Sequence, residues 1–106
     1  MKPELERDQI SKLIQLPNVG KACVADFQLL DITHPQQLIG CNPYRMYEDL
    51  CRITAVRHDP CVIDVFISAV RYMEGGPALP WWNYTAERKA YLFTQNVKTA
   101  KTGRLR

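Results

Sequence analysis

The sequence predicts an all-α domain of two stacked helical hairpins, followed by an aromatic segment, one further helix and a basic tail. Three observations carry that prediction. Apolar residues recur at helical spacing in several windows, Asn42-Pro43 and Asp59-Pro60 are both strong helix-start signals, and no segment requires a strand. At 106 residues the chain has room for one domain of ordinary size, and 46% hydrophobic with 24% charged residues is enough apolar material to bury a core.

Leu5, Ile10, Leu13 and Ile14 fit one face of a short first helix, which Pro17 ends at or before Leu16. After a turn from Pro17 to Gly20, a second helix is expected from about Lys21 to Leu30. Ala22, Cys23, Ala25, Phe27, Leu29 and Leu30 make it apolar on more than one side, so it should be buried. Thr33 suits the N-cap of a brief third helix holding Leu38 and Ile39, with Gly40 as its stop. Asn42 and Pro43 begin a fourth that reaches about Thr54, because Asn caps well and Pro suits the first helical position. Asp59 and Pro60 repeat the signal, and Val62, Val65, Phe66, Ala69, Val70 and Met73 then fall at i, i+3, i+4, i+7, i+8 and i+11. Gly75-Gly76-Pro77 stops that helix, and Thr85 is expected to cap a last one over Glu87 to Leu92. The domain so read covers residues 1–93, with hairpins at about 5–30 and 43–73, a connector at 33–39, an aromatic segment at 77–84 and the last helix at about 85–92; residues 94–106 read as a flexible basic tail.

A weak internal repeat with a period of about 37 residues underlies the two hairpins. Leu13, Leu16, Val19, Cys23, Val24 and Asp26 align with Leu50, Ile53, Val56, Cys61, Val62 and Asp64 if one residue is inserted near Pro60.

The net charge of +3 is unevenly placed: up to Tyr84 there are eight Lys or Arg against ten Asp or Glu, and beyond it six cations against Glu87 alone. A basic C-terminal arm suits contact with phosphate, and it equally suits a solvated tail. No apolar run approaches the ~20 residues that span a bilayer. Met1 to Arg7 mixes charges of both signs without an apolar core, so the expected location is the cytoplasm, with Cys23, Cys41, Cys51 and Cys61 as reduced thiols.

The most informative stretch is Leu16-Pro17-Asn18-Val19-Gly20-Lys21. Gly20 permits backbone conformations closed to other residues and allows close approach, and the helix beginning at once behind it has first-turn amides without internal acceptors. With the helix dipole and Lys21 those amides make an anion site, and a DNA phosphate fits it without any reading of bases. Val19 is expected to face the core between the two helices.

This turn resembles the helix-hairpin-helix DNA-binding motif, whose usual pattern is Leu-Pro-Gly-hydrophobic-Gly with small residues following. Asn18 stands where the first glycine is usual, and Asn tolerates left-handed backbone better than most residues. The wider runs Leu16 to Ala22, Leu50 to Thr54, Arg57 to Phe66 and Trp81 to Tyr84 resemble the small bacterial family labelled pathogenicity-locus or mitomycin-resistance protein. The resemblance covers roughly Leu13 to Lys89. It implies a tandem helix-hairpin-helix-like (SAM-like) domain that binds DNA. The second turn, Thr54-Ala55-Val56-Arg57, has no glycine, so there only Arg57 is offered.

Cys51, His58 and Cys61 have spacing that can place ligands on one ion, but Asp59 and Pro60 read as a helix start, and no fourth cysteine follows Cys61. Cys23 and Cys61 read better as small packing residues, and His58 as a turn residue held by local hydrogen bonds. Asp26 and Asp64 occupy matching places in buried helices, where a pair with Arg52, Arg57 or Arg71 is expected, and no catalytic set or cofactor is called for. Trp81-Trp82-Asn83-Tyr84 suits either a lid on the core or, beside Arg88 and Lys89, stacking with unpaired bases, and the lid is preferred.

The expected function is therefore non-enzymatic, sequence-independent DNA binding through Asn18, Val19, Gly20 and Lys21, helped by Arg57, Arg88, Lys89 and the tail cations. It could serve a DNA repair or competence system. The alternative is a protein-interaction module without significant DNA affinity.

Overall fold

The computed structural model describes residues 9–103, with side chains up to Gln95. Four α-helices form it: α1 (Lys21–Leu29), α2 (Pro43–Thr54), α3 (Cys61–Met73) and α4 (Thr85–Gly103), with single 3-10 turns at Leu13–Gln15, Pro35–Leu38 and Trp81–Tyr84. No strand occurs among the described residues.

The proline-marked helices start where their signals stand. Asn42 Oδ1 accepts from the Tyr44 and Arg45 amides at 2.9 and 3.3 Å, leaving Pro43 in the first helical position. Asp59 Oδ1 accepts from the Cys61 amide at 2.9 Å. α2 buries one stripe, Met46, Tyr47 and Leu50, whereas α3 is buried nearly all round, from Ile63 to Met73 with only Val65 and Arg71 left out. Helix α3 is thus the hub: it packs on α2, on α4 and on two of the 3-10 turns. Phe66 from α3 stacks with Phe27 from α1 at 5.4 Å between ring centroids, both fully buried.

Two glycines end α3. Gly75, at φ 110, occupies the left-handed position; its amide donates to Tyr72 O at 3.2 Å and the Gly76 amide to Arg71 O at 2.7 Å, the paired bonds of a Schellman motif. A Cβ on Gly76 would sit 2.9 Å from that same Arg71 oxygen.

Three expected elements differ. The first helix is, over the described residues, only the 3-10 turn Leu13–Gln15, and Leu5 lies outside them. Its cause is Gln15, whose Oε1 accepts from the Ser11 and Lys12 amides at 2.9 and 3.0 Å and so replaces a helical ladder. The connector repeats the device: Gln37 Oε1 accepts from the Thr33 and His34 amides at 2.7 and 2.9 Å, and His34 rather than Thr33 takes the cap position. At the other end α4 neither begins with a Thr85 cap nor stops near Leu92. Thr85 is already helical, and the helix runs on through the expected tail to Gly103, the first glycine after Gly76.

The internal repeat appears in the backbone. Asn18 and Ala55, 37 positions apart, both adopt the left-handed conformation, at φ 68 and 59. Burial does not repeat: Leu16 and Val19 are buried, while their counterparts Ile53 and Val56 are 45% and 56% exposed.

These backbone angles predict opposite outcomes for small changes. Ala55→Gly, which removes a left-handed Cβ, should stabilise the fold by about 0.5–1 kcal/mol, and Gly76→Ala should destabilise it because the new methyl meets a carbonyl. Urea unfolding midpoints of the two variants check both signs.

Candidate nucleic-acid interface

The first turn is closed by the Val19 amide donating to Leu16 O at 3.2 Å, with Asn18 in the left-handed position that a glycine would otherwise fill. The Asn18 side chain is committed elsewhere: its Nδ2 donates to Leu79 O at 2.7 Å, tying the turn to the loop after α3. α1 then begins at Lys21. Gly20 holds the N-cap position without a side chain to cap the first-turn amides, which by helix geometry have no intrahelical acceptor. Gly20, Lys21 and Ala22 are exposed. This end of α1 thus has no side-chain cap on its first-turn amides, and the exposed Lys21 stands beside them.

Several expected contributors need correction. Gly20 is extended, at φ −111 and ψ −172, a conformation open to any residue, and an added Cβ would meet nothing within 4 Å. Glycine therefore matters here for room above the amides and not for backbone angle. Val19 is buried and its amide is used inside the turn, so its side chain faces the core and not the surface.

The second turn has different chemistry. Although Ala55 copies Asn18, the start of α3 is capped by Asp59, whose carboxyl is held below its usual range by the Cys61 amide. A carboxylate thus sits at this helix start, and it would repel an incoming anion. The His58 amide donates to Cys51 Sγ at 3.4 Å. Arg57 is exposed, as expected, and is the cation this turn presents.

Arg88 is not a surface cation. It is buried, with Nε donating to Asp64 Oδ1 at 2.9 Å and Nη2 to Oδ2 at 3.3 Å, and the Thr85 hydroxyl donates to the same Oδ2 at 2.7 Å. Asp64 therefore pairs with Arg88 and not with Arg52, Arg57 or Arg71; Arg52 binds Asp49, and Arg71 binds Glu87. A signal for this was present: Thr85 and Arg88 are one helical turn apart, and Asp64 interrupts the most apolar helix of the chain. Lys89, the next residue, remains exposed.

Cys51, His58 and Cys61 do not converge on a common point. His58 Nε2 lies 2.9 Å from Thr54 Oγ1, and Cys61 Sγ accepts from Arg88 Nη2 at 3.7 Å. Among the described residues no three His, Cys, Asp or Glu side chains gather into a metal-holding group. The tryptophans do not lid the core either. Tyr84 is the buried ring, Trp81 is partly buried, and Trp82 is 62% exposed. No described helix is long and apolar enough to cross a membrane.

Residues 6–90 match the family model described as pathogenicity locus, Cdd1. The chain belongs to the pathogenicity-locus family. It is also 43% identical over 82 residues to the mitomycin resistance protein McrB of Streptomyces lavendulae, a match covering 77% of this chain and 78% of that protein. No solved structure matches it. The family match covers all of α1, α2 and α3 but ends at Ala90, inside α4. The matched range of this pathogenicity-locus protein spans both turns and the positions of Asp64 and Arg88.

One acid lies close to the open helix start. Asp26, one turn further along α1, lines a groove of about 270 Å³ with Gly20, Ala22, Cys23, Val62 and Val65. Partial burial pushes its carboxyl above the ordinary value of 3.8, with the charge of His58 a smaller opposing influence. A carboxyl raised by folding costs stability once ionised, and that cost sets in as pH rises from the ordinary value through the raised one. Asp26→Asn should therefore stabilise the protein at neutral pH and lose that advantage at about pH 3, as measured by thermal unfolding across pH. For the buried pair, Arg88→Met should cost about 3–5 kcal/mol by stranding the Asp64 carboxylate. The double variant with Asp64→Leu should recover most of this, as a urea-unfolding double-mutant cycle would read.

Proposed function

We propose that this protein binds DNA without catalysis and without regard to sequence, as a helix-hairpin-helix unit that grips the phosphate backbone at the start of α1. The observation that carries the reading is the contrast between the two helix starts: the one at Gly20 and Lys21 is open, and its pseudo-repeat at Asp59 is capped by a carboxylate. Lys21, Arg57 and Lys89 are exposed and supply cations for neighbouring phosphates, and Lys98, Lys101, Arg104 and Arg106 add to them in sequence. Backbone amides and lysines position a protein on a duplex without reading bases. In this reading the protein works in the cytoplasm as an accessory in DNA repair or competence, with chemistry supplied by other proteins.

A second reading is favoured by one specific feature. The turn of the second hairpin exposes Ile53 and Val56 beside a shallow groove of about 450 Å³ lined by Glu48, Cys51, Arg52, Ala55, Val56 and Arg57. That surface suits a protein partner.

Fluorescence anisotropy of labelled duplex DNA, from low to physiological salt, separates the two. Gly20→Val should abolish binding while the fold survives, since the valine projects into open space above the amides. Lys21→Ala should weaken binding and lower the salt slope by about one. Unchanged affinity in both variants would remove the first hairpin from the mechanism, and no binding at low salt would favour the protein partner.

A further inference from the structure

The outward side of α4 carries two large aromatic rings that the core does not use. Trp82 is 62% exposed and Phe93 70% exposed. The 3-10 turn Trp81–Tyr84 runs into α4 without a break, so Trp82, Ala86, Lys89 and Phe93 follow one another at i, i+4, i+7 and i+11 along one side. Ala86, Lys89 and Ala90 between the rings are exposed, and the two alanines leave the space above them open. Trp81 packs edge-on against Trp82, with centroids 5.6 Å apart and planes at 82°, which supports the outer ring from behind.

The charge on this side is of one sign. Glu87 is taken up by Arg71, through Nη1 to Oε1 at 2.9 Å and a second bond from Nη2 to Oε2, and Arg88 is consumed by Asp64. Among the described side chains of α4 that leaves Lys89, between the two rings, as the charge without an ion-pair partner. The stripe also begins close to the first hairpin, because Asn18 is bonded to Leu79, two residues before Trp81.

We propose that this stripe is a binding site for single-stranded nucleic acid, with unpaired bases stacking on Trp82 and Phe93 and Lys89 meeting the phosphate between them. The proposal rests on the DNA-binding reading and gives it a preferred form: a strand leaving a duplex held at the first hairpin. Aromatic faces accept any base, so the site is sequence-tolerant, as is the hairpin. The rings stand roughly 16 Å apart along the helix axis, a span of several nucleotides and not one. Sign of charge selects the occupant: an apolar partner helix would leave Lys89 unpaired, and a polyanion with planar bases satisfies both features.

The test uses the full chain with two labelled probes, an oligothymidylate of about 15 nucleotides and a blunt duplex. Trp82→Ala and Phe93→Ala should each weaken oligothymidylate binding at least about fivefold and leave duplex affinity within about twofold. Trp82→Phe should restore most of the loss, which a merely structural role for the indole would not allow. Binding of oligothymidylate should quench the tryptophan fluorescence of the unsubstituted protein. Oligothymidylate affinity indifferent to both alanine variants would overturn the proposal, and so would duplex binding without any oligothymidylate binding, which leaves the hairpin reading intact. Binding of neither probe would overturn both. Self-association lost in Phe93→Ala, with no oligothymidylate affinity, would assign the stripe to a second copy of the chain.

Discussion

Asp64 is a fully buried carboxylate in the first turn of the hub helix, and the C-terminal third of the molecule is arranged to satisfy it. A charge in that position is tolerated only with a partner and with its remaining lone pairs bonded. Arg88 provides two bonds and Thr85 a third, all from the first turn of α4. That requirement sets the angle and register at which α4 crosses α3. Tyr91 then stacks on Tyr44 of α2 with ring centroids 3.6 Å apart, and Glu87 reaches Arg71 on α3. The face of α4 turned away from these contacts is the one that presents Trp82, Lys89 and Phe93. A buried ion pair contributes little net stability compared with an apolar pair, and what it supplies here is a unique placement for α4.

The two turns show how one backbone can carry two chemistries. Both turns place a non-glycine residue in the left-handed region, with two residues between it and α1 in the first turn and five between it and α3 in the second. In the first, the apolar turn residues Leu16 and Val19 are buried and the helix start is left open by Gly20. In the second, Ile53 and Val56 are exposed and Asp59 closes the helix start. The first turn thus leaves its helix start without a side-chain cap, and the second leaves an apolar edge exposed. The proposed division between a phosphate grip and a contact surface rests on that difference.

The helices with covalent punctuation were legible. Asn42-Pro43, Asp59-Pro60 and Gly75-Gly76 each act within a turn of their own position, so local sequence decides them. The open helix start at Lys21 was legible for the same reason. What was not legible depended on contacts distant in sequence. Arg88 reads as a surface cation until its partner 24 positions earlier is known, and the tryptophans read as core because large rings usually are. The first segment failed for a subtler reason. Ile10 and Leu13 are buried as their spacing suggested while Ile14, placed on the same face, is 40% exposed, because Gln15 and Gln37 each fold back on two upstream amides, a competition that hydrophobic periodicity does not register. Gly20 is extended, and the left-handed position of this turn falls instead on Asn18, two residues earlier.

The claim that the first hairpin meets the phosphate backbone is tested most directly by amide chemical-shift mapping, with isotope-labelled protein titrated with a short blunt duplex at low salt. The account predicts that the largest shifts fall on Gly20, Lys21 and Ala22 at the start of α1, with the amide of Cys61 at the capped start of α3 unmoved. Shifts concentrated on Ile53 to Arg57, or none at saturating duplex, would contradict it.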